Sequence, residues 1–220
     1  MNKRTIFIGD IQGCFDEFMH LLKKLNYEPT NDYLYLVGDT INRGPKSSEV
    51  LDFLIENPQI KSVLGNHEYF FIKSLENNNH SSASNFNKIL PQLKTHLNKY
   101  LTFLKTWPVY IEKKNWVMVH AGLLPEQSVE KTDPELLFSV RKITHNAIEA
   151  PWFEFYNGRK KVIFGHWALL GLVHLPNVVG LDTGCVYGRS LSAYILEEDS
   201  IVSTPAIKMW YDPIKKHENW

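Results

Sequence analysis

The stretch Leu64-Gly65-Asn66-His67-Glu68 indicates which kind of fold this chain adopts. The residues that lead into it, Ile60–Leu64, are rich in β-branched side chains and predict a short strand, and a helix is predicted over Glu68–Leu75. Gly65 permits a tight turn between the two elements. Open α/β sheets place ligand sites at the carboxyl ends of strands, where an asparagine oxygen can bind a hard cation and an imidazole can move a proton.

Four more predicted strands end in a cluster of the same kind. Strands at residues 4–8, 33–37, 116–119 and 162–164 lead into Gly9-Asp10, Gly38-Asp39, His120-Ala121-Gly122 and Gly165-His166. Each glycine lets the backbone turn away, so that the neighbouring side chain can point into a shared mouth. Taken singly, a Gly-Asp pair is usually a turn, and a lone histidine is usually a core or surface residue. Five strand ends of this kind in one chain favour a common site.

The chemistry of these clusters favours a pair of divalent metal ions. Two ions about 3.5–4 Å apart need one carboxylate that bridges them and several further ligands. The clusters offer carboxylate, amide and imidazole groups and no thiolate, which suits manganese, iron, cobalt or zinc in a catalytic site rather than a structural zinc. Manganese is our first choice.

The remaining elements follow from apolar spacing and turn residues. Helical spacing predicts helices at residues 14–25, 47–56, 89–104 and 134–147. Residues 109–112 and 116–119 predict a hairpin, residues 178–181 a strand, and residues 191–196 and 207–211 the strands of a second sheet. The first 75 residues alternate strand and helix three times, a doubly wound α/β pattern. The polar segment Glu76–Asn87 is predicted to be an exposed loop that is mobile without ligand.

Composition limits the function classes. The chain has 220 residues, 44% apolar and 22% charged, which is ordinary for one globular domain. Lysine plus arginine equals aspartate plus glutamate, 24 each, which argues against a general nucleic-acid binder. No apolar run approaches the ~20 residues that span a membrane, and the N-terminus lacks a signal-peptide layout, so we expect a cytoplasmic protein. Cys14 and Cys185 are too few for a disulfide framework, and burial as small packing residues is the favoured interpretation over redox sensitivity.

The clusters resemble the calcineurin-like metallophosphoesterases, and within them the phosphoprotein-phosphatase-like branch. Finer matches resemble the symmetrical diadenosine tetraphosphate hydrolases, the symmetrical bis(5'-nucleosyl)-tetraphosphatases. Those matches are Gly13-Cys14, Arg43-Gly44-Pro45, Val117-Met118-Val119-His120-Ala121-Gly122, Pro151-Trp152-Phe153, Gly165-His166-Trp167-Ala168 and Leu181-Asp182-Thr183-Gly184-Cys185. The resemblance covers nearly the whole chain.

The resemblance implies a four-layer α/β fold, with a central β-sandwich of two mixed sheets flanked by α-helices and a dinuclear metal site at the sandwich edge. It implies a single domain over residues 1–220, with a cap-like insertion around residues 123–161. It also implies roles: metal binding by Asp10, Gln12, Asp39, Asn66, His120 and His166, with Asp39 bridging; protonation of the leaving group by His67; and grip on the phosphate by Arg43.

This sequence departs from the family pattern at three places. Position 12 is Gln where the common pattern has His, and its oxygen is a poorer ligand. Position 42 is Asn where many relatives have an Asp that orients the catalytic His, although Asn42 can still accept a hydrogen bond. The segment between Gly122 and Gly165 is shorter than in the usual dinucleotide hydrolases. Asn42, Glu68 and Asp182 are expected to support the site from outside the metal ligands.

Candidate substrate contacts are two arginines and several aromatic residues. Arg141 and Arg189 are candidates for distal phosphates, and a solvated surface position is an equally good interpretation of each. Trp152, Trp167 and Tyr187 are candidates for stacking on adenine, and for Trp167 and Tyr187 packing is the favoured alternative.

Two enzymatic functions remain open on the sequence. The first is hydrolysis of diadenosine tetraphosphate at its centre, giving two ADP, and the alternative is a phosphoprotein (Ser/Thr) phosphatase of the same superfamily. Trp167 and the run Asp182–Cys185 favour the dinucleotide. A non-enzymatic metal-holding scaffold would require the loss of His67 or Asp39, and both are present.

Overall fold

A computed structural model of the chain describes residues 3–76, 86 and 89–213. Twelve strands are present in this part: β1 Arg4–Ile8, β2 Asp32–Leu36, β3 Lys61–Ser62, β4 Tyr110–Glu112, β5 Trp116–Val119, β6 Lys142–His145, β7 Ile148–Pro151, β8 Lys161–Phe164, β9 Val173–Leu175, β10 Val178–Gly180, β11 Ser190–Ile195 and β12 Ser200–Pro205. The helices are α1 Phe15–Lys24, α2 Ser47–Glu56, α3 Asn66–Glu76, α4 Leu90–Leu93, α5 Leu97–Leu104 and α6 Pro134–Ser139, with 3₁₀ turns at Lys94–His96, Val129–Lys131 and Trp152–Glu154.

Ten of the strands form two mixed sheets. The first has the order β12-β11-β1-β2-β3, and the second has the order β4-β5-β8-β10-β9. In the first sheet β1, β2 and β3 are parallel, and β11 and β12 continue the sheet in antiparallel pairing. In the second, β5, β8 and β10 are parallel, and β4 and β9 pair antiparallel at the two edges. The predicted central pair of mixed sheets with flanking helices is confirmed.

The two sheets face each other across an apolar layer. Phe7 and Tyr194 of the first sheet pack with Trp116, Met118 and Ile163 of the second, and all five are at most 5% exposed. Phe7 contacts Trp116 edge to face, with ring centroids 4.9 Å apart. Aromatic burial of this kind contributes a large share of core stability, so the packed sheets hold the strand ends in fixed positions.

Helices and an irregular segment cover the outer faces. α1 packs against β11 and β12 through Phe18, Leu21 and Leu22, because its apolar residues recur at helical spacing. The outer face of the second sheet is covered by residues 123–156, whose Leu137 and Trp152 are buried against β5 and β8. β6 and β7 form a separate two-stranded sheet in this segment.

Five predicted elements differ in the structure. The helix predicted over residues 134–147 ends at Ser139, and residues 142–151 form a hairpin instead. Its turn residues Asn146 and Ala147 both have left-handed φ, +49° and +63°. Such turns strongly favour glycine. Because position 147 is alanine, the sequence pattern does not indicate a hairpin here.

The helix predicted over residues 89–104 is broken by the 3₁₀ turn Lys94–His96. Leu93, Tyr100 and Leu104 are nevertheless buried in one cluster. The helical spacing of apolar residues therefore continues across the 3₁₀ turn, and the sequence pattern does not show that the helix is broken there. The strand predicted over residues 60–64 is only Lys61–Ser62, because the Leu64 amide donates to the Pro108 carbonyl instead of to the sheet.

The prediction that residues 191–196 and 207–211 form strands of a second sheet is wrong. β11 lies in the first sheet beside β1, and its partner β12 is Ser200–Pro205. Residues 207–211 form no strand, and their alternation is not a buried face, since Ile207 and Met209 are 54% and 56% exposed. The predicted mobile loop Glu76–Asn87 lies outside the described residues except at Glu76, which ends α3, and at Phe86. Among the described residues, none of the helices has the length and apolarity required to cross a bilayer.

Candidate metal centre and active site

The carboxyl ends of strands from both sheets meet at one edge of the sandwich. Asp10 follows β1, Asp39 follows β2, His120 follows β5, His166 follows β8, and Asn66 is the first residue of α3. Ligand atoms of Asp10, Asp39 and His120 lie within 4.8 Å of one another, and all three side chains are buried. Parallel strands bring their carboxyl ends to one edge, so residues more than 100 positions apart in the sequence share one site.

Asp39 lies between the other polar groups. Its Oδ1 accepts a hydrogen bond from the His67 amide at 2.9 Å and lies 3.4 Å from Nε2 of His120. Its Oδ2 lies 3.4 Å from Nε2 of Gln12 and 3.7 Å from Nε2 of His67. Burial would raise the pKa of Asp39, but the imidazoles of His120 and His67 outweigh it and lower that pKa below its usual range. Asp39 therefore stays ionised.

The environment of His120 fits a cation. Its Nδ1 lies 2.8 Å from the Val37 carbonyl and can only donate there, so in the neutral ring Nε2 has a lone pair. That lone pair faces Oδ1 of Asn66 at 2.9 Å, and Nδ1 of His166 lies 2.8 Å from the same oxygen. Burial alone would lower the pKa of His120, yet Asp39 raises it above its ordinary value, so the surroundings of this ring favour positive charge.

An excess of buried acidic groups also fits divalent cations. Asp10, Asp39, Glu68 and Asp182 are at most 6% exposed, and none forms an ion pair with a lysine or arginine among the described residues. Burial, together with Asp182 and Asp39, raises the pKa of Asp10 well above its ordinary value. Burial likewise raises the pKa of Asp182 to about 6, and Asp39 adds to the rise. Two divalent ions would neutralise this charge.

Glu68 organises the backbone around the ligands. Its Oε1 accepts hydrogen bonds from the amides of Thr40 and Ile41 at 2.7 and 3.2 Å and from Oγ1 of Thr40 at 3.0 Å. Its Oε2 accepts from the amides of Asp39 and Gly65, both at 2.9 Å. A single carboxylate thus joins the loop after β2 to the turn before α3, which agrees with the supporting role expected for Glu68.

Several site residues have a left-handed backbone. φ is +45° at Gln12, +48° at Asp39, +62° at Arg43 and +68° at His166. Such a conformation costs of order 1–3 kcal/mol for a residue with a side chain and is common at functional sites. Gly65 allows a close approach, since a Cβ there would lie 2.2 Å from Oδ1 of Asp39.

Asn42 does not orient His67 by a hydrogen bond. Oδ1 of Asn42 accepts from the amide of Arg43 at 2.8 Å, and Nδ1 of His67 is buried without a hydrogen-bond partner. Burial lowers the pKa of His67 to about 4, against the opposing effect of Asp39. The Arg43 guanidinium lies 5.5 Å from the ring centre of Tyr187 and 5.3 Å from that of Tyr211. The contact with Tyr211 was not predicted, and a separation of 168 positions leaves no local signal for it.

The other candidate substrate residues differ in how exposed their side chains are. Nη2 of Arg141 lies 3.4 Å from the His166 carbonyl, and Nη1 of Arg189 donates to the Ala168 carbonyl at 2.9 Å; both arginines are exposed. Trp167 is half-buried. The expectation that Trp152 is available to a base is wrong, because it is fully buried and its Nε1 donates to the Ala121 carbonyl at 3.2 Å.

Cys14 and Cys185 lie behind the site. Both are buried, and their sulfur atoms lie within 4.8 Å of each other and of the Glu17 carboxylate. Contact with Cys185 and burial raise the pKa of the Cys14 thiol, which disfavours the reactive thiolate. The favoured interpretation as packing residues agrees with this burial.

The fold and the group of acidic and imidazole residues at the sheet edge define the class of metal-dependent phosphohydrolases. The family model of the calcineurin-like phosphoesterases matches residues 3–203, and the chain belongs to this family. Members of this family use divalent metal ions, in agreement with the Asp10, Asp39 and His120 group.

Named relatives and solved structures differ in how similar they are to this chain. The symmetrical bis(5'-nucleosyl)-tetraphosphatase of Neisseria meningitidis is 31% identical over an alignment of 262 positions, which covers 90% of this chain and 94% of that protein. A crystal structure of a protein assigned as a diadenosine tetraphosphatase is 31% identical, with a TM-score of 0.82 over 94% of this chain and 95% of that one. A protein serine/threonine phosphatase from Saccharomyces cerevisiae is 15% identical with a TM-score of 0.59, over 96% of this chain and 84% of that one, a likeness of fold alone.

Proposed function

We propose that this chain hydrolyses diadenosine tetraphosphate symmetrically, giving two molecules of ADP. The observation that supports this most strongly is the pair of 31% identities, to a symmetrical tetraphosphatase and to a diadenosine tetraphosphatase structure, each over at least 90% of the chain. The likeness to the yeast phosphatase, at 15% identity, supports the fold and not a phosphoprotein substrate.

In this proposal Asp10 and Gln12 hold one ion, Asn66, His120 and His166 hold the other, and Asp39 contacts both. When bound, the two ions supply positive charge at the phosphoryl oxygens and lower the pKa of the attacking water. Manganese fits this mixed set of oxygen and nitrogen ligands. The Gln12 amide reaches the site, since its Nε2 lies 3.4 Å from Asp39, and a half-turn of the amide would present its oxygen.

His67 and Arg43 act on the substrate. Arg43 offers two parallel N–H donors to a phosphate, and it forms no ion pair among the described residues that would compete. His67 protonates the oxygen that leaves the attacked phosphorus. A pKa of about 4 leaves the ring neutral at pH 7, and the negative polyphosphate brought by binding favours the imidazolium that this step needs.

The segment 123–161 acts as a short cap over the second half of the substrate in this proposal. Arg141 and Arg189 contact the carbonyls of His166 and Ala168, at the edge of the site, where they can reach distal phosphates. The half-buried rings of Trp167 and Tyr187 are the candidates for a base. With a short cap, we expect a looser hold on the far adenosine.

Product analysis tests the proposal. Diadenosine tetraphosphate incubated with the chain and manganese in ¹⁸O-labelled water should give ADP alone, with one label in one of the two ADP molecules. AMP plus ATP would contradict symmetrical cleavage. No turnover of the dinucleotide beside rapid phosphate release from a phosphopeptide would favour the phosphoprotein phosphatase.

A further inference from the structure

Arg43 is held by aromatic contacts. Its guanidinium lies 5.5 Å from the ring centre of Tyr187 and 5.3 Å from that of Tyr211, and the two rings contact each other with centres 6.0 Å apart. Among the described residues it forms neither an ion pair nor a side-chain hydrogen bond, so the two rings are its chief restraint. An arginine loses much rotational freedom when it is fixed, and contact with this pair of rings reduces the freedom that remains to be lost on binding phosphate.

Tyr211 belongs to a segment, residues 206–211, that is fixed by a few hydrogen bonds and not by a sheet. The Ala206 amide donates to the Arg189 carbonyl at 2.8 Å, and the amides of Trp210 and Tyr211 both donate to the Val186 carbonyl at 3.0 Å. Val186 is the residue before Tyr187, so these two hydrogen bonds hold the ring of Tyr211 close to the ring of Tyr187.

Glu17 supplies the remaining fixed points of this segment. It lies in the first turn of α1 and is 1% exposed. Its Oε1 accepts from the Ile207 amide at 3.0 Å and from the Trp210 indole at 2.7 Å. Because a charged acceptor makes short, strong hydrogen bonds, one buried carboxylate fixes both the backbone and the side chain next to Tyr211.

We propose that Glu17 is a positioning residue for Arg43, which acts through the segment 206–211 and the ring of Tyr211. The inference rests on the proposed function in one respect: Arg43 is taken to bind a phosphate of the substrate. Glu17 contacts neither the metal ligands nor the phosphate in this arrangement. Its effect is therefore on the binding of phosphate and not on metal content.

Paired variants test each contact. Tyr211→Leu removes the ring and Tyr211→Phe keeps it, while Glu17→Met removes the acceptor at similar length and Glu17→Gln keeps an accepting oxygen. Trp210→Phe removes the indole donor and keeps an aromatic ring, and Met209→Ala is the control in the same segment, at a side chain that is 56% exposed. KM and kcat for diadenosine tetraphosphate, the Kd of inorganic phosphate by calorimetry, bound metal and Tm are measured for each.

The loss variants should weaken phosphate binding and raise KM. We expect factors of about 3 to 30 for Tyr211→Leu and Glu17→Met, the range that corresponds to one cation–π contact. Trp210→Phe should act in the same direction. Tyr211→Phe and Glu17→Gln should recover most of the loss, Met209→Ala should match the wild type, and metal content should be unchanged throughout.

A second set in the Arg43→Ala background separates positioning from a general structural effect. If Glu17 and Tyr211 act through Arg43, Tyr211→Leu and Glu17→Met should change the phosphate Kd no further there. The inference is overturned if they weaken phosphate binding by the same factor without Arg43, or if they leave the phosphate Kd unchanged with Arg43 present.

Failure of the proposed function looks different. It would appear as absence of dinucleotide turnover in the wild-type chain, whatever the variants do. The phosphate Kd does not depend on which phosphate ester is the substrate, so it decides the role of Glu17 in either case.

Discussion

Asp182→Asn should stabilise the metal-free protein at neutral pH, although it alters a residue beside the candidate metal centre. Burial, with a further effect of Asp39, raises the pKa of Asp182 from an ordinary 3.8 to about 6. The folded state therefore binds this proton more tightly than the unfolded state does. The contribution of Asp182 to stability is most favourable below the unfolded pKa and is lost as the pH rises through about 6.

The pKa difference sets the size of the effect. One pKa unit corresponds to ~1.4 kcal/mol, so a rise of about two units gives a penalty of about 3 kcal/mol at pH 7.5 and about 1 kcal/mol at pH 4.5. Asparagine has nearly the same shape, and its Oδ1 can still accept from the Gly184 amide, as Asp182 does at 3.1 Å. The substitution therefore removes mainly the charge.

Urea unfolding of the wild type and of Asp182→Asn, with a chelator at pH 7.5 and at pH 4.5, measures this difference in the free energy of unfolding. We expect a gain of about 2–3 kcal/mol in the free energy of unfolding at the higher pH and a smaller gain at the lower. With saturating manganese the gain should disappear, because bound cations neutralise the same carboxylates. Asp16→Asn is the control: Asp16 is paired with Lys46 at 2.7 Å and partly exposed, so its loss should cost less than about 1 kcal/mol. A metal-free Asp182→Asn protein that is less stable than the wild type at pH 7.5 would refute the reasoning.

Three further substitutions probe the site. Glu68→Gln should lower the free energy of unfolding by roughly 2–5 kcal/mol and reduce bound metal. The new amide would face the two backbone N–H groups that now donate to Oε2, and each of them costs about 1–3 kcal/mol when unpaired. Glu76→Gln, at an exposed position of the same helix, is the control and should leave the free energy of unfolding nearly unchanged in the same denaturation series. His67→Ala should retain metal by elemental analysis and lower kcat by about 10²–10⁴-fold, and loss of metal would contradict its role as a proton donor. Gln12→His should lower the manganese concentration for half-maximal rate, and an equal or higher requirement would show that position 12 does not limit metal binding.

The convergence of strand ends was predictable because it depends on a rule of parallel sheets and on local residue types. β1 has the predicted bounds Arg4–Ile8 and α2 the predicted bounds Ser47–Glu56, since each has a strong apolar pattern and clear turn residues at its ends. Asp10, Asp39, His120 and His166 then meet at one edge. The choice of sheet for β11 was not predictable, because the pairing of β11 with β1 joins residues nearly 190 positions apart and both sheets offer apolar faces.

The rest of the site depends on contacts that leave no local pattern. Glu68 follows the Gly65-Asn66-His67 motif, so its supporting role could be expected, but its five hydrogen bonds to Asp39, Thr40, Ile41 and Gly65 could not. The alternation of apolar and polar residues predicts a strand over residues 207–211, within the segment 206–211, and no strand forms there. Its real restraint is the buried Glu17, a charged residue on a helix face that a sequence pattern would assign to solvent.

The backbone of Asn42 and Arg43 gives an argument for function that is independent of similarity. Both residues are left-handed, with φ of +78° and +62°, and Oδ1 of Asn42 stabilises the turn by accepting from the Arg43 amide. Glycine would fit position 43 with less backbone strain, and the Arg43 side chain contributes no ion pair to the fold among the described residues. A strained arginine beside two tyrosines, at the edge where buried carboxylates collect, has cation–π contacts but no ion pair among the described residues to offset its backbone strain. Its charge is free for an anion that approaches the metal ligands, which is the arrangement that phosphoryl transfer requires.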